Sequence, residues 1–292
     1  MERLRSTDRL HKSLYKYLFL LLITAVSFHV DVGGRSAQAA ESASTVTLRF
    51  ADVADLATAA PIIIDGQIKR AKKVKIPSST PSSPAAQYTL VTAKVDRLIR
   101  GDGGVAKEVS FLVADRSGID AASFKPKRGS RVMIYARPGK GQDQVQLVSR
   151  HAMQPWSSQL DETTRTLALE MLRPDAPPAI LSVGDAFHSA GTIVGEGETQ
   201  VFLVTQTGEP VSLSIIHRPG QQLRWGVSLG EIVDETAVPP SRNTLLWYRL
   251  ACGLPDSLPA KSTRNLVFAD AQAAWRDYRF VIESLGSCGR AL

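Results

Sequence analysis

The pattern of hydrophobic and polar positions divides the chain into stretches of different character. Residues 18–30 form an almost unbroken apolar run. Between residues 46 and 150, short apolar-rich segments that are β-branched or alternate with polar residues are separated by glycine and proline, whereas from residue 243 apolar positions recur with a spacing of three and four. The pattern of residues 46–150 predicts strands, and the pattern from residue 243 predicts helices. We therefore expect a mixed, β-rich fold.

The segment from residue 46 to 152 is predicted to form one β-domain. It opens with a short apolar-periodic helix, Val53 to Ala59, that Asp52 is expected to cap. About five strand-like segments follow, with turn residues between most of them: PIIIDGQI, YTLVTAKVDRLI, VSFLVA, RVMIYA and VQLVS. Several short strands punctuated in this way predict a small barrel or a sandwich. The intervening segment from Lys69 to Gln87 is basic and then rich in proline and serine, which predicts an exposed loop.

Three motifs in this domain resemble the OB-type barrel of the netrin and tissue-inhibitor-of-metalloproteinases group. They are APIIIDG at residues 60–66, VDRLIRG at residues 95–101 and GSRVMIY at residues 129–135. The resemblance covers about a third of the chain and implies an OB-like β-barrel. The metalloproteinase inhibitors of this group chelate the zinc of their target through an N-terminal cysteine. The mature N-terminus expected here has no cysteine, so the resemblance carries over the fold and not that mechanism.

The second half is predicted to be a helical linker followed by an α+β unit. Residues 153–182 contain a helix that starts near Asp161 and ends before Pro174. Residues 183–292 then give three or four strands, expected to be antiparallel because the gaps between them are short. They are GTIV, TQVFLVTQ, VSLSIIH and RWGVSLGEIV, and two helices follow them.

The only two cysteines, Cys252 and Cys288, each stand at the C-terminal end of one of these two predicted helices. In an exported protein a lone pair of cysteines predicts a disulfide. A catalytic thiolate is disfavoured at Cys252 because the C-terminal end of a helix is partially negative. A metal site needs more ligands than two cysteines without paired-histidine or Cys-x-x-Cys spacing supply. Free thiols remain the other alternative.

The first 39 residues have the three parts of a secretory signal peptide. A basic start precedes the apolar run, and Ala37-Gln38-Ala39 supplies the small residues of a cleavage site, which predicts a mature chain beginning at Ala40. The alternative is a membrane anchor, but the apolar run falls short of the roughly 20 residues needed to span a bilayer. We expect a periplasmic or secreted protein with no transmembrane segment after the signal is removed.

Export changes what the positive charge implies. The chain has a formal net charge of +7, and six basic and three acidic residues lie in residues 1–39, so the mature chain carries +4. This smaller excess argues against a nucleic-acid partner. Eight of the remaining basic residues form a candidate anion-binding patch, and a solvated loop is the alternative interpretation. Its members are Lys69, Arg70, Lys72, Lys73, Lys75, Lys125, Lys127 and Arg128.

No local motif assigns a catalytic residue, a metal site or a cofactor. His188 and Ser189 lie outside any Gly-x-Ser-x-Gly elbow, and His217 ends a strand segment. The sequence therefore favours an exported, non-catalytic binding or interaction protein of the cell envelope, with an unidentified envelope component or protein as partner. One alternative is an envelope hydrolase, which requires His188 or His217 within hydrogen-bond reach of a serine and a carboxylate. The other is a thiol-active or assembly factor.

Overall fold

The structure is a computed structural model that describes residues 48–76, 86–114, 125–230 and 237–292. The predicted signal peptide, with Ala37, Ala39 and Ala40, lies outside the described residues. All described residues belong to one compact unit that spans residues 43–292. No helix in these described ranges is both long enough and apolar enough to cross a membrane.

The first sheet is antiparallel and has the strand order β3-β2-β1-β4-β5, with β6 also paired to β4. Its strands are β1 Ile62–Ile76, β2 Ala86–Arg100, β3 Glu108–Ala114, β4 Arg131–Pro138, β5 Val145–Leu147 and β6 Met153–Pro155. The two ends of this order approach each other at one isolated parallel bridge between Ser110 of β3 and Gln144 beside β5. The Ser110 amide donates to the Asp143 carbonyl at 2.8 Å. A continuous ladder between β3 and β5 is not found among the described strands, so the sheet is not a closed barrel.

The second sheet is an antiparallel meander in the order β10-β9-β8-β7. Its strands are β7 Ile180–Ala190, β8 Gly197–Thr205, β9 Val211–His217 and β10 Arg224–Leu229. Four antiparallel strands agree with the prediction, but one assignment was wrong. The segment GTIV lies in the connection between β7 and β8, and the first strand lies upstream over residues 180–190. The position of this first strand is set by the pairing of β7 with β8, which outweighs the strand propensity of the β-branched residues in GTIV.

Four α-helices accompany the two sheets: α1 Phe50–Ala59, α2 Ser158–Leu172, α3 Leu245–Gly253 and α4 Phe268–Leu285. Thr244 caps α3, because its hydroxyl accepts a hydrogen bond from the Trp247 amide at 3.2 Å. Gly286 ends α4 with a φ of 69°, a left-handed conformation that favours glycine. The predicted start of the first helix was three residues late, because α1 begins at Phe50 with Arg49 as its N-cap residue. Asp52 still takes part in capping from the third helical position, where its carboxylate accepts from the Arg49 amide at 2.8 Å in a capping box.

Two hydrophobic cores explain the continuous apolar run at the start of β1. Ile62 and Ile64 point into a smaller core enclosed by the first sheet. Ile63 points the other way into a larger core, which the four helices and the second sheet complete. A strand that is buried on both faces reads as an uninterrupted apolar run. The larger core draws residues from both predicted domains and from the predicted linker, while the boundaries proposed at residues 152 and 183 stay predictions.

The basic segment after Ile68 is a strand and not the predicted loop. β1 continues through the lysines to Ile76 and pairs with β2 along that length, from Arg70 opposite Thr92 to Ile76 opposite Ala86. Lysine and arginine are tolerated in this strand because almost all of the side chains from Lys69 to Ile76 are exposed. Composition alone gave the wrong interpretation here because the deciding interaction is the pairing with β2.

Candidate functional sites

We use the name basic arm for residues 69–76 of β1 with the paired residues 86–93 of β2 and 109–114 of β3. The β1 segment carries five cationic side chains, whereas the paired β2 and β3 segments carry no charged residue of either sign. The charge of this three-stranded surface is therefore uncompensated within its own strands. Asp115 and Asp120 follow β3 in the sequence, outside the described residues.

The turn before β4 brings further basic residues beside the arm. Gly129 donates its amide to the Ile68 carbonyl at 2.8 Å, and the Ile68 amide donates to the Ser130 carbonyl at 2.9 Å. These bonds hold the backbone of the turn that contains Lys127 and Arg128 next to the first residue of the arm. The structure thus brings together, at the backbone level, the two basic segments that the sequence singled out.

The cations of the arm are distributed over both of its faces. Arg70 and Lys72 lie opposite Thr92 and Leu90, which point away from the sheet interior. Lys75 lies opposite Gln87, on the side of the buried residue Val91. Lys69, Arg70, Lys72 and Lys75 make no ion pair with any residue in the described ranges. By contrast Lys94, just below the arm, is paired with Asp96 at 2.8 Å.

A second candidate site surrounds Asp277, which is 2% exposed on the inward face of α4. His217 Nε2 lies 2.7 Å from one carboxylate oxygen, and the Thr199 hydroxyl donates to the other. The same hydroxyl is 2.8 Å from His188 Nδ1. The Thr199 hydroxyl donates its proton to the Asp277 carboxylate, so towards His188 the Thr199 oxygen can only accept a hydrogen bond. His188 therefore carries a proton on Nδ1. The cluster links α4 to β7, β8 and β9.

The chemistry open to this Asp277 cluster is limited by burial. A carboxylate that orients a histidine is the supporting half of a nucleophilic triad. The hydroxyl in the cluster, however, belongs to Thr199, which is fully buried and already donates to Asp277. His217 is the most exposed member, with 36% of its side chain exposed, whereas the side chain of His188 is 11% exposed. The cluster therefore contains a histidine–carboxylate pair without an accessible nucleophile.

Sequence reasoning singled out both histidines but missed Asp277 and Thr199. The requirement set for a hydrolase is met in part, because both histidines lie near one carboxylate but a threonine stands where a serine was expected. A signal for Asp277 exists in the sequence: it lies between Ala274, Tyr278 and Val281 on the apolar face of α4. A charged residue in such a position indicates a buried polar partner.

The two cysteines are joined, with a Cα–Cα distance of 5.0 Å. Cys252 lies in the last turn of α3, and Cys288 follows α4 closely, so the bond fastens the residues after α4 to α3. Neither cysteine is a free thiol in this state. The arrangement matches the predicted disulfide and gives Cys252 a structural role.

The residues after Cys288 contact α1 through a group that we call the tail clamp: Asp52, Asp55, Tyr248 and Arg290. Asp52 accepts from the amides of Ala291 and Leu292 at 2.9 and 3.1 Å. Asp55 accepts two bonds from the Arg290 guanidinium, at 2.6 and 3.0 Å, and one from the Tyr248 hydroxyl at 2.6 Å. Burial, and then this bond to Asp55, raise the pKa of Tyr248.

A groove of about 730 Å³ lies between the start of α1, β6 and the start of α2. Trp156 lines it, and the Arg131 guanidinium stacks on the Trp156 ring at 3.7 Å from its centroid. Arg131 also forms a two-point ion pair with Asp65, which is fully buried. The lining of the groove mixes apolar, neutral polar and charged side chains, and the charged ones are Arg49 and Glu162. In the described part of the chain, no group of three histidine, cysteine, aspartate or glutamate side chains is placed to hold a metal ion.

Comparison with protein-family models gives no match, and comparison with curated proteins gives none.

Proposed function

We propose that this protein is an exported, non-catalytic binding protein of the cell envelope that holds an anionic envelope component on its basic arm. The observation that carries the proposal is that four cations of the arm have no ion-pair partner among the described residues. They are Lys69, Arg70, Lys72 and Lys75. Cations without partners stay available to an external anion, and their field raises the local concentration of such a ligand. In the periplasm or outside the cell, lipid headgroups, acidic polysaccharides and acidic proteins supply that charge.

The scaffold of the arm is, in this proposal, a partly open OB-type barrel. The bridge between Ser110 and Gln144 supports this interpretation, since it makes the strand path β1-β2-β3-β5-β4 and back to β1. The core enclosed by these strands supports it too, because an OB-type barrel fills its interior with side chains. Folds of this kind present ligands to exposed strands and loops.

The disulfide supports the exported location because disulfides persist in oxidising compartments. The predicted signal peptide at residues 1–39 gives the route. The intact mass of the protein recovered from its native compartment tests both points. We expect a chain that starts at Ala40 and that takes up an alkylating reagent only after reduction; a full-length chain with free thiols would overturn the exported location.

Retention on immobilised heparin, a soluble-polyanion probe, tests the anion-binding function. A triple variant, Arg70→Gln/Lys72→Gln/Lys75→Gln, is expected to elute at clearly lower salt than the wild type, because screening weakens exposed charge contacts. The matched control is Lys261→Gln/Arg264→Gln/Arg276→Gln, which removes the same charge from exposed positions that follow α3 or lie on α4, away from the arm. Equal shifts for the two variants would show that only net charge matters and would overturn the proposed site.

A second candidate function is hydrolysis with His217 as a general base, favoured by its bond to the buried Asp277. In this alternative Asp277 orients the imidazole, and a water molecule is the nucleophile. Turnover of a nitrophenyl ester by the purified protein, lost in His217→Gln and retained in His151→Gln, is the expected result. Activity that is unchanged in His217→Gln would exclude this role.

A further inference from the structure

The outer face of the basic arm combines cations with exposed apolar side chains in a regular array. Strand pairing sets them in three rows across β1, β2 and β3. The rows are Arg70–Thr92–Ser110, Lys72–Leu90–Leu112 and Val74–Tyr88–Ala114. Each row therefore places a residue of the basic strand beside the uncharged residues of its two neighbours.

The apolar members of these rows are not covered by the rest of the chain that the structure describes. Leu90 is 37% exposed and Leu112 is 40% exposed. The alternate residues of the same strands, Val91 and Phe111, are almost completely buried and fill the core of the first sheet. Strand alternation therefore places both leucines on the solvent side. Lys72 lies in the same row, directly beside Leu90.

This combination distinguishes among the anionic ligands that the proposed function allows. A soluble polyanion is bound by charge and needs no exposed leucine. The interface of a lipid bilayer takes up both kinds of group: the headgroup phosphates attract lysine and arginine, and short apolar side chains enter the region just below. Long cationic side chains can also extend to the phosphates while their stems lie along apolar surface.

We propose that the outer face of the basic arm docks on the surface of a membrane that carries anionic lipids. This inference rests on the proposed anion-binding function and names its ligand. Arg70 and Lys72 contact headgroup phosphates, and Leu90, Leu112 and the half-buried Tyr88 and Val74 enter the boundary between headgroups and acyl chains. The arm then holds the protein at the membrane without a spanning helix.

Sedimentation with vesicles tests the charge requirement. The probes are vesicles of phosphatidylglycerol mixed with phosphatidylcholine, and vesicles of phosphatidylcholine alone. We expect strong binding to the first and weak binding to the second. In the Arg70→Gln/Lys72→Gln variant, which removes the two cations of the docking face, the partition coefficient should fall about five-fold for each side chain removed. The Lys261→Gln/Arg264→Gln/Arg276→Gln control should stay within about two-fold of the wild type because its charges lie off the docking face.

The apolar requirement is tested by Leu90→Ser/Leu112→Ser. We expect this variant to lose about ten-fold in partition to phosphatidylglycerol vesicles while its elution from heparin is unchanged. The matched control is Leu181→Ser/Leu229→Ser, which removes two exposed leucines from strands of the second sheet, where they are 63% and 42% exposed. This control should bind vesicles like the wild type.

Insertion itself is measured with Leu90→Trp. Brominated acyl chains quench a tryptophan that reaches them, so this variant should show quenching beyond that of the wild-type protein. If the leucine and tryptophan variants leave vesicle binding and quenching unchanged while heparin binding still depends on the arm, membrane docking is overturned and anion binding stands. If neither heparin nor vesicles depend on the arm cations, the proposed function fails together with this inference.

Discussion

The basic arm and the tail clamp are both charged regions, but their charges are arranged in opposite ways. In the tail clamp the side-chain carboxylates of Asp52 and Asp55 accept hydrogen bonds from residues far away in the chain and from the start of α1. Residues 290–292 reach Asp52 and Asp55 across more than 230 positions of sequence, at distances of 2.6 to 3.1 Å. In the arm, Lys69, Arg70, Lys72 and Lys75 have no such partner among the described residues.

The difference follows from burial. Asp52 is 1% exposed, so each of its oxygens must be hydrogen-bonded or the fold loses stability. The arm cations are in water and have no comparable requirement. Charges that are paired inside a fold hold the fold, whereas charges left unpaired on its surface remain free to bind something else. Four measurements test this contrast, and the first should give the strongest response.

Removal of the disulfide should destabilise the protein most. The bond joins residues 36 positions apart and therefore restricts the unfolded chain, so Cys252→Ser/Cys288→Ser should lower the free energy of unfolding by about 4 kcal/mol. Urea denaturation of the variant and of the wild type gives this difference. The wild type under reducing conditions is the control and should behave like the variant. A loss below about 1 kcal/mol would mean that the tail clamp holds these residues without the bond.

Asp52→Asn should have the next largest effect. The amide group keeps one oxygen but replaces the other acceptor by a donor, which leaves at least one backbone amide without its bond. We expect a loss of about 2 kcal/mol in the free energy of unfolding. The control is Asp175→Asn, because Asp175 is paired with Arg173 at the surface and should cost less than about 1 kcal/mol. Equal effects of the two substitutions would contradict the importance of burial at Asp52.

The tail clamp should also weaken in alkaline solution. The folded pKa of Tyr248 is raised, so the fold favours its protonated form. This contribution is fully present below the unfolded tyrosine pKa of about 10 and is lost as pH rises through the folded value. Urea denaturation on both sides of that pH should show a smaller alkaline loss of stability in Tyr248→Phe than in the wild type. An identical pH dependence in the two proteins would assign the loss to other buried tyrosines, such as Tyr135 and Tyr278, whose pKa values are raised by burial.

The sequence predicted the features that depend on neighbouring residues and missed those that depend on distant ones. The meander of the second sheet, the two helices after it and the position of each cysteine at the end of one of them follow from local patterns, and the structure agrees. The lysine segment was assigned to a loop because its composition is polar, although β2 provides a partner along it. Asp52 was predicted as a helix cap, and it does accept from the Arg49 amide, but its bonds to Ala291 and Leu292 cannot be seen locally.

The candidate sites show the same division. The eight basic residues are recognisable as a charged set in the sequence, and the placement of the 127–130 turn beside Ile68 could be found only from the structure. His188 and His217 were singled out for their chemistry, but the carboxylate near which both lie, Asp277, is 60 and 89 positions away from them. Pairing of this kind is fixed by the packing of α4 on the second sheet, which no local pattern encodes.

The arm should show the smallest effect on stability, and this result would complete the contrast. Because Arg70, Lys72 and Lys75 have no ion-pair partner in the described chain, replacing all three by glutamine should change the free energy of unfolding by less than about 0.5 kcal/mol. Arg290→Gln removes only one charge, but that charge is bonded to Asp55, and its cost should be larger, approaching 1 kcal/mol. Urea denaturation of both variants compares them directly. If the triple variant proved less stable than Arg290→Gln, the arm cations would be holding the first sheet together, and their availability to an external anion would be contradicted by the same measurement.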